Sequence, residues 1–360
     1  MRRVVVIGAG IIGASIAYHL LQRSVVATVI DRAQPGAAAT GSSFAWINAT
    51  LDNPRPYYAL RLQSMLEYRR WEAELEAMPP LHWDGSLFWE DATPSAELER
   101  AVREHQRWGY PLRWVDRAQC LQLQPGLASA PERALYASLE GSIDAAALTR
   151  ALLNMVRNRG GDIRCECHVH RIEQRGADWV VQTDVGAIEA ECVVIAAGVD
   201  TSALAEPLGV TVPLQSNAGL LVHTKPLPQC LRRIVLAPEV HMRQQPNGIV
   251  IAGEDFGGGT GSEDQHAAAE RIMVAMRRTI PEFAEAELAR VTTAIRPEPE
   301  GGMPVVGFGG SRAGVYIAVM HSGVTLAPLI GRLAADEIVD GVHSDLLEPY
   351  RPGRFNPGIS

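Results

Sequence analysis

Apolar positions change period several times along the chain, and each change marks an element. Residues 3–7 (RVVVI) are short, apolar after Arg3 and rich in β-branched side chains, which predicts a strand buried on both faces. Residues 11–23 are apolar all round and predict a buried helix, and 25–30 (VVATVI) predict a second strand that ends at Asp31. Strand, helix and strand make a βαβ unit of about thirty residues. The stretch 57–77 predicts an amphipathic helix with Leu60, Leu62, Met65, Leu66, Tyr68 and Trp71 turned inward. After Pro79-Pro80 the pattern becomes mixed, and Trp83, Leu87 and Trp89 point to strands of a different unit. Next come a helix at 145–159 and strands at 163–174, 178–184 and 190–196. An antiparallel set follows at 213–224, 234–238, 240–245 and 248–254, with Pro246-Asn247-Gly248 as a hairpin turn. A helix at 263–279, strands near 289–296 and 315–319 and a closing helix at 323–340 complete the chain. No internal repeat is visible, and Gly257-Gly258-Gly259 reads as a flexible loop.

This alternation predicts an α/β fold: a Rossmann-like, doubly wound parallel-sheet domain, interrupted twice by pieces of an antiparallel-sheet substrate domain. The expected division assigns 1–80, 145–212 and 296–360 to the first and 81–144 and 213–295 to the second. At 360 residues the chain is long enough for two such domains. A net charge of -8 with interspersed signs argues against a nucleic-acid partner. No apolar stretch reaches the length of a membrane span. The run after Arg2 and Arg3 is too broken by Gly8, Gly10 and Gly13 to be a secretory leader. Cys120, Cys165, Cys167, Cys192 and Cys230 fall in no C-x-x-C or zinc spacing, so free thiols and a cytoplasmic location are expected, with no metal. Lys225 is the only lysine, which makes guanidinium the cation available for gripping a carboxylate.

Gly8-Ala9-Gly10-Ile11-Ile12-Gly13 follows a predicted strand and opens a predicted helix, which is the context a dinucleotide turn requires. Gly8 permits the tight turn, Gly10 lets backbone amides approach a pyrophosphate, and Gly13 allows close packing of helix on strand. The helix N-terminus, from Ile11 and Ile12, offers free N–H groups to the negative charge. Asp31, followed by Arg32, ends the second strand, where a carboxylate can accept ribose hydroxyls. This fingerprint alone does not separate NAD from FAD. A nicotinamide enzyme would continue with another helix and parallel strand. Here a small-residue, hydroxyl-rich loop follows, PGAAATGSSFAW (35–46), suited to lie along an extended flavin dinucleotide.

On these residues the chain resembles the D-amino-acid oxidase superfamily of flavoproteins, in the branch that holds glycine oxidase and sarcosine oxidase. The likeness runs from end to end and includes CVVIAAG (192–198), IRPEPEGGMPVVG (295–307) and HSGVTLAP (321–328). It implies that Ala39, Thr40, Ser43, Phe44, Ala45 and Trp46 line the flavin and pyrophosphate. It further implies that the backbone of Val169 meets the adenine and that Gly198 closes the turn over the cofactor. Ser322, Gly323, Val324 and Thr325 would aim helix amides at the pyrimidine edge, where reduction develops negative charge. Ser322 also suits a helix cap. Arg296 falls where the family grips a substrate carboxylate, and a rigid fork there fixes the reacting carbon in distance and angle.

Two positions depart from the glycine oxidase pattern. His321 stands in place of a second arginine, and His241 in place of an active-site tyrosine. Arg243, two residues beyond His241, should share its strand face. Arg243, Arg296 and the two histidines are therefore expected to form a basic pocket, suited to a small-molecule amine or amino acid and in particular to a dicarboxylic amine. No cysteine follows Cys230 and no histidine lies in 36–46, so FAD is expected to be bound without a covalent link. The implied reaction passes hydride from the substrate α-carbon to flavin N5, with His321 or His241 taking the amine proton. The imine then hydrolyses, and molecular oxygen reoxidises the cofactor to give peroxide. The alternatives are a dehydrogenase feeding a quinone or carrier protein, an NAD-dependent dehydrogenase, and a non-catalytic flavin-binding subunit.

Overall fold

The computed structural model describes residues 3–355 apart from 52, 76, 92–93, 255–263 and 311–312. The glycine triplet at 257–259 and the expected start of a helix at 263 lie outside the described residues.

The central sheet grows from the expected βαβ unit. Its six strands run, in order, Val305–Phe308, Val315–Val319, Cys192–Ile195, Val4–Ile7, Ala27–Ile30 and Asp162–Arg164. All neighbours are parallel except the Val305–Phe308 edge. Val4–Ile7 and Cys192–Ile195 are buried at every position, as continuous β-branched runs in a doubly covered sheet must be. On one face the Ile11–Gln22 helix packs against the Gly323–Ala335 and Ala145–Asn158 helices. The other face carries a three-stranded antiparallel sheet, Val169–Arg175, Asp178–Thr183 and Gly186–Ala190, packed through Trp179 and Val181.

An eight-stranded sheet takes strands from two separated stretches. Its order is Leu288–Pro299, Leu214–Thr224, Val250–Gly253, Val240–Gln244, Ile234–Ala237, Ser86–Phe88, Arg133–Ala137 and Leu112–Asp116. Every pairing is antiparallel except Ile234–Ala237 with Ser86–Phe88. The turn at 246–248 joins its hairpin as expected, with Gly248 donating to the Gln245 carbonyl at 2.9 Å. The Gln265–Thr279 helix covers one face of this sheet.

Three expectations need correction. The predicted strand 163–174 is two strands in two sheets, because the chain turns at Glu166 (φ 54°) and leaves the parallel sheet after Arg164. In the Arg55–Glu74 helix the buried residues are Tyr57, Tyr58, Leu60, Arg61, Ser64, Met65, Tyr68 and Trp71. Leu66 sits about half a turn from the centre of that stripe and is 61% exposed, not inward. The 81–144 stretch also holds two helices that were not expected, Ala96–Arg107, capped by Ser95, and Arg117–Leu123, opened by an Asp116–Gln119 capping box. All five cysteines are free. Among the described residues no helix is long and apolar enough to cross a membrane.

Candidate active site

The glycine turn is built by contacts that only glycine allows. Gly8 has φ 112°, and a Cβ there would lie 2.2 Å from the carbonyl oxygen of Ala196, just past the end of the neighbouring strand. A Cβ on Gly13 would lie 1.9 Å from Gly8 O, so the helix and its strand touch at this point. Asp31 closes the turn from the second strand: one carboxylate oxygen accepts Ala9 N–H at 2.6 Å and the other accepts Ala33 N–H at 2.8 Å. Each oxygen keeps a lone pair for a further donor. A cavity of about 430 Å³ opens here. Its walls include Gly8, Gly10, Ile11, Ile12, Asp31, Arg32, Ala39, Thr40, Ser43, Val169, Gly198, Gly323 and Val324. Across it, Arg32 pairs with Asp200 at 2.8 Å.

A second cavity of about 860 Å³ adjoins the first, and Ala39, Ser43, Pro297, His321 and Val324 line both. One wall is the 39–48 segment, which is pinned along its length. Thr40 Oγ1 accepts Ile11 N–H, and Ser43 Oγ accepts the N–H of Ala45, whose left-handed backbone (φ 55°) it supports. Thr325 Oγ1 donates to Trp46 O at 3.2 Å and accepts Asn48 N–H. Trp46 Nε1 donates to Glu140 at 2.9 Å. A second wall is the Gly323–Ala335 helix start, where Val324 and Thr325 keep their N–H groups free of backbone acceptors. Ser322 occupies the cap position but makes no side-chain cap bond, contrary to expectation.

The third wall is the eight-stranded sheet, which contributes His241, Leu221, Gly219 and Arg296. Arg296 lies against Gly219, where a Cβ would meet Nη2 at 2.8 Å and Nε at 2.9 Å. The missing side chain of Gly219 is thus the space its guanidinium occupies. Glu298, two residues further on, lines the same cavity and accepts a hydrogen bond from Asn217 Nδ2 at 2.7 Å. The His321 ring is open to the cavities yet flanked by protein, and desolvation lowers its pKa. Glu298 opposes that shift, while Arg296 and Arg61 add to it.

The expected basic pocket is only partly assembled. Arg296, His241 and His321 line the larger cavity, but Arg243 does not. Arg243 shares the strand face with His241, and at that position the face is covered by the 39–46 segment. Its buried guanidinium donates to Phe44 O and, at 3.5 Å, to Ile143 O, and burial lowers its pKa to about 10. It ties the loop backbone in place and lies outside the lining of that cavity. Arg61, Tyr57 and Asn48 line the cavity without having been expected. Arg61 was visible in principle, since a cation at the helical spacing 57, 61, 64, 68 and 71 stands inside an otherwise buried stripe.

A family model described as DAO, FAD-dependent oxidoreductase, matches residues 3–337. The chain belongs to that family. It is 26% identical over 349 residues to the glycine oxidase of Geobacillus kaustophilus (strain HTA426), with 92% of each chain covered. The crystal structure of glycine oxidase from Geobacillus kaustophilus fits with a TM-score of 0.89 at 24% identity, covering 98% of this chain and 99% of that one. An opine oxidase subunit of Agrobacterium tumefaciens (strain Ach5) is 26% identical over 375 residues, covering 98% of this chain and 97% of the relative. The crystal structure of iminodiacetate oxidase from Chelativorans sp. BNC1 fits with a TM-score of 0.81 at 22% identity, covering 97% and 99%.

The protein is therefore an FAD-dependent oxidoreductase, and its own residues fit the cofactor. Gly8 clears the backbone approach, Asp31 faces the smaller cavity, and the two cavities share walls as a dinucleotide carrying a large ring requires. Gly13 belongs to the packing beneath the turn and lines neither cavity.

Proposed function

We propose that this enzyme oxidises the C–N bond of an amino acid or secondary amine whose carboxylate is held by Arg296. The observation that carries the reading is the Arg296 guanidinium, set over Gly219 in the wall of the cavity next to the dinucleotide site. When bound, FAD supplies the two-electron acceptance that amine oxidation needs, and the protein supplies binding, orientation and charge. Arg296 offers two parallel donors to a carboxylate, which fixes the substrate's α-carbon relative to the 39–48 wall. His321, with its lowered pKa, is neutral near neutral pH and can take the proton that an ammonium substrate must shed before its nitrogen lone pair assists. The free amides of Val324 and Thr325 place positive potential at the end of the cavity where negative charge would develop. The resulting imine hydrolyses in water without further redox change, and oxygen is the proposed acceptor of the two electrons taken from the substrate.

The substrate class that fits a cavity with more than one cationic donor is an amine bearing two carboxylates, such as an N-carboxymethyl amine. Support comes from the likeness to a protein named iminodiacetate oxidase. The test is an anaerobic screen of the yellow enzyme against glycine, sarcosine, D-amino acids, proline and iminodiacetate, read as loss of visible absorbance. Bleaching is expected with one of these classes, fastest with iminodiacetate. Full colour retained against all of them overturns the proposal. The second reading has a carrier protein or quinone as the acceptor in place of oxygen. Reduced enzyme that stays bleached after admission of air would select that reading.

A further inference from the structure

Arg61 is a buried cation with no ion-pair partner among the described residues; Glu140, whose carboxyl feels its charge, is taken up by Trp46, Ser86 and Tyr110. Its residue is 8% exposed, and its guanidinium donates to three neutral oxygens: Nε to Asn48 O at 3.0 Å, Nη1 to Asn53 Oδ1 at 3.2 Å, and Nη2 to Asn48 Oδ1. A guanidinium carries five N–H donors, so these bonds leave two unspent. Among the described residues no carboxylate lies within ion-pair distance of Arg61, whereas Arg23, Arg332 and Arg351 each have one or more acidic partners. Burying a charge without a counter-charge costs several kcal/mol unless something compensates it. Two further observations place the missing group in the cavity. Arg61 lines the same cavity as Arg296, and both guanidiniums lie near enough to His321 to lower its pKa. Tyr57, one helical turn earlier, lines that wall too. Its ring lies 5.3 Å from the Arg61 guanidinium carbon, and its buried hydroxyl has no hydrogen-bond partner among the described residues.

We propose that Arg61 holds the second carboxylate of the substrate while Arg296 holds the first, so that Arg61 sets the preference for dicarboxylic over monocarboxylic amines. This rests on the amine-oxidation reading and assigns its specificity to a helix residue outside the sheet. It also replaces Arg243, which the 39–46 segment covers, as the second cationic anchor.

The test separates binding from turnover. FAD-loaded enzyme is titrated with thiodiacetate and with methylthioacetate, which carry two and one carboxylates on a sulfur that replaces the amine nitrogen, and flavin absorbance changes report Kd. The wild type is expected to bind thiodiacetate about 10- to 100-fold more tightly, the worth of hydrogen bonds to a charged group. In Arg61→Gln that ratio falls to near one, and in Arg61→Lys it is partly kept. In Arg296→Gln both ligands weaken. If Arg61→Gln fails to fold or to hold FAD, Arg61→Lys decides, because loss of the fork without loss of charge should lower the ratio and not abolish it. Equal wild-type affinity for the two ligands overturns the proposal, as does an Arg61 variant that weakens both by the same factor. If no amine bleaches the flavin while the binding ratio stands, the amine-oxidation reading fails and this one survives.

Discussion

Glu140 is fully buried, and Trp46 Nε1, Ser86 Oγ and Tyr110 Oη all donate to its two oxygens. Desolvation pushes its pKa up to about 7, and those donors together with Arg61 moderate the rise. The folded value lies above the unfolded 4.5, so the neutral acid favours the fold. That contribution is present below pH 4.5 and is lost as pH rises through about 7. Glu140→Gln should therefore remove a fall in melting temperature over this interval, a difference that differential scanning calorimetry at a series of pH values will show. The Trp46 contribution to fluorescence, taken as the difference from Trp46→Phe, should titrate near pH 7 in the parent and not in Glu140→Gln. At Gly219 the consequence is steric. A methyl group there displaces the Arg296 fork, and Gly219→Ala is expected to raise KM for carboxylate substrates about 10- to 100-fold with a smaller change in kcat. Arg296 and His321 were legible as cavity residues because the motif blocks around them are distinctive, and His241 by its place on the antiparallel strand. Arg243 misled because two-residue spacing gives a strand face and says nothing about what covers that face. Gly219 could have been noticed as a glycine inside a strand, but its partner Arg296 lies on another strand, 77 residues away by numbering.

Among the elements, the Gly323–Ala335 helix shows how a sequence irregularity is absorbed by its neighbours. Pro328 lacks an N–H, which leaves the Val324 carbonyl without its helical donor. The buried Tyr68 hydroxyl donates to that carbonyl at 2.6 Å. One turn later, Gly331 meets the Ile11–Gln22 helix so closely that a Cβ would lie 2.8 Å from the Ser15 backbone, and Ser15 Oγ bonds Ala327 O at 2.6 Å. Tyr68→Phe leaves a buried carbonyl unpaired and should cost about 1 to 3 kcal/mol in chemical denaturation. Gly331→Ala should be worse, because backbone cannot move aside as a side-chain tip can. Both act on the helix whose first turn lines the two cavities, so lowered FAD occupancy should accompany the loss of stability. The helices around the glycine turn were plain from periodicity and the hairpin from its turn residues. The break at Glu166 was not, because alternation continues across it while the strand changes sheets. Capping signals at Ser95 and Asp116 were present in the 81–144 stretch, and Leu98, Val102 and His105 recur at helical spacing, but the first helix is polar overall and the second has only seven residues.

For the whole molecule, the α/β fold with its mixture of parallel and antiparallel sheets followed from the alternation of patterns together with the family likeness. The order of strands did not, since Asp162–Arg164 joins Ala27–Ile30 across more than a hundred residues and no local pattern encodes that pairing. Acid precipitation should leave a colourless pellet and a yellow supernatant, as expected of FAD held without a covalent bond. The smaller cavity is bordered by an ion pair between segments far apart in the chain, Arg32 after the second strand and Asp200 after the Gly198 turn. Both side chains are well exposed, and such pairs contribute on the order of 1 kcal/mol or less and fade in salt. An ionic latch open to the bathing electrolyte thus stands beside the cavity proposed for the prosthetic group. Escape of that group should quicken a few-fold in molar sodium chloride, and Asp200→Asn should make that escape indifferent to salt.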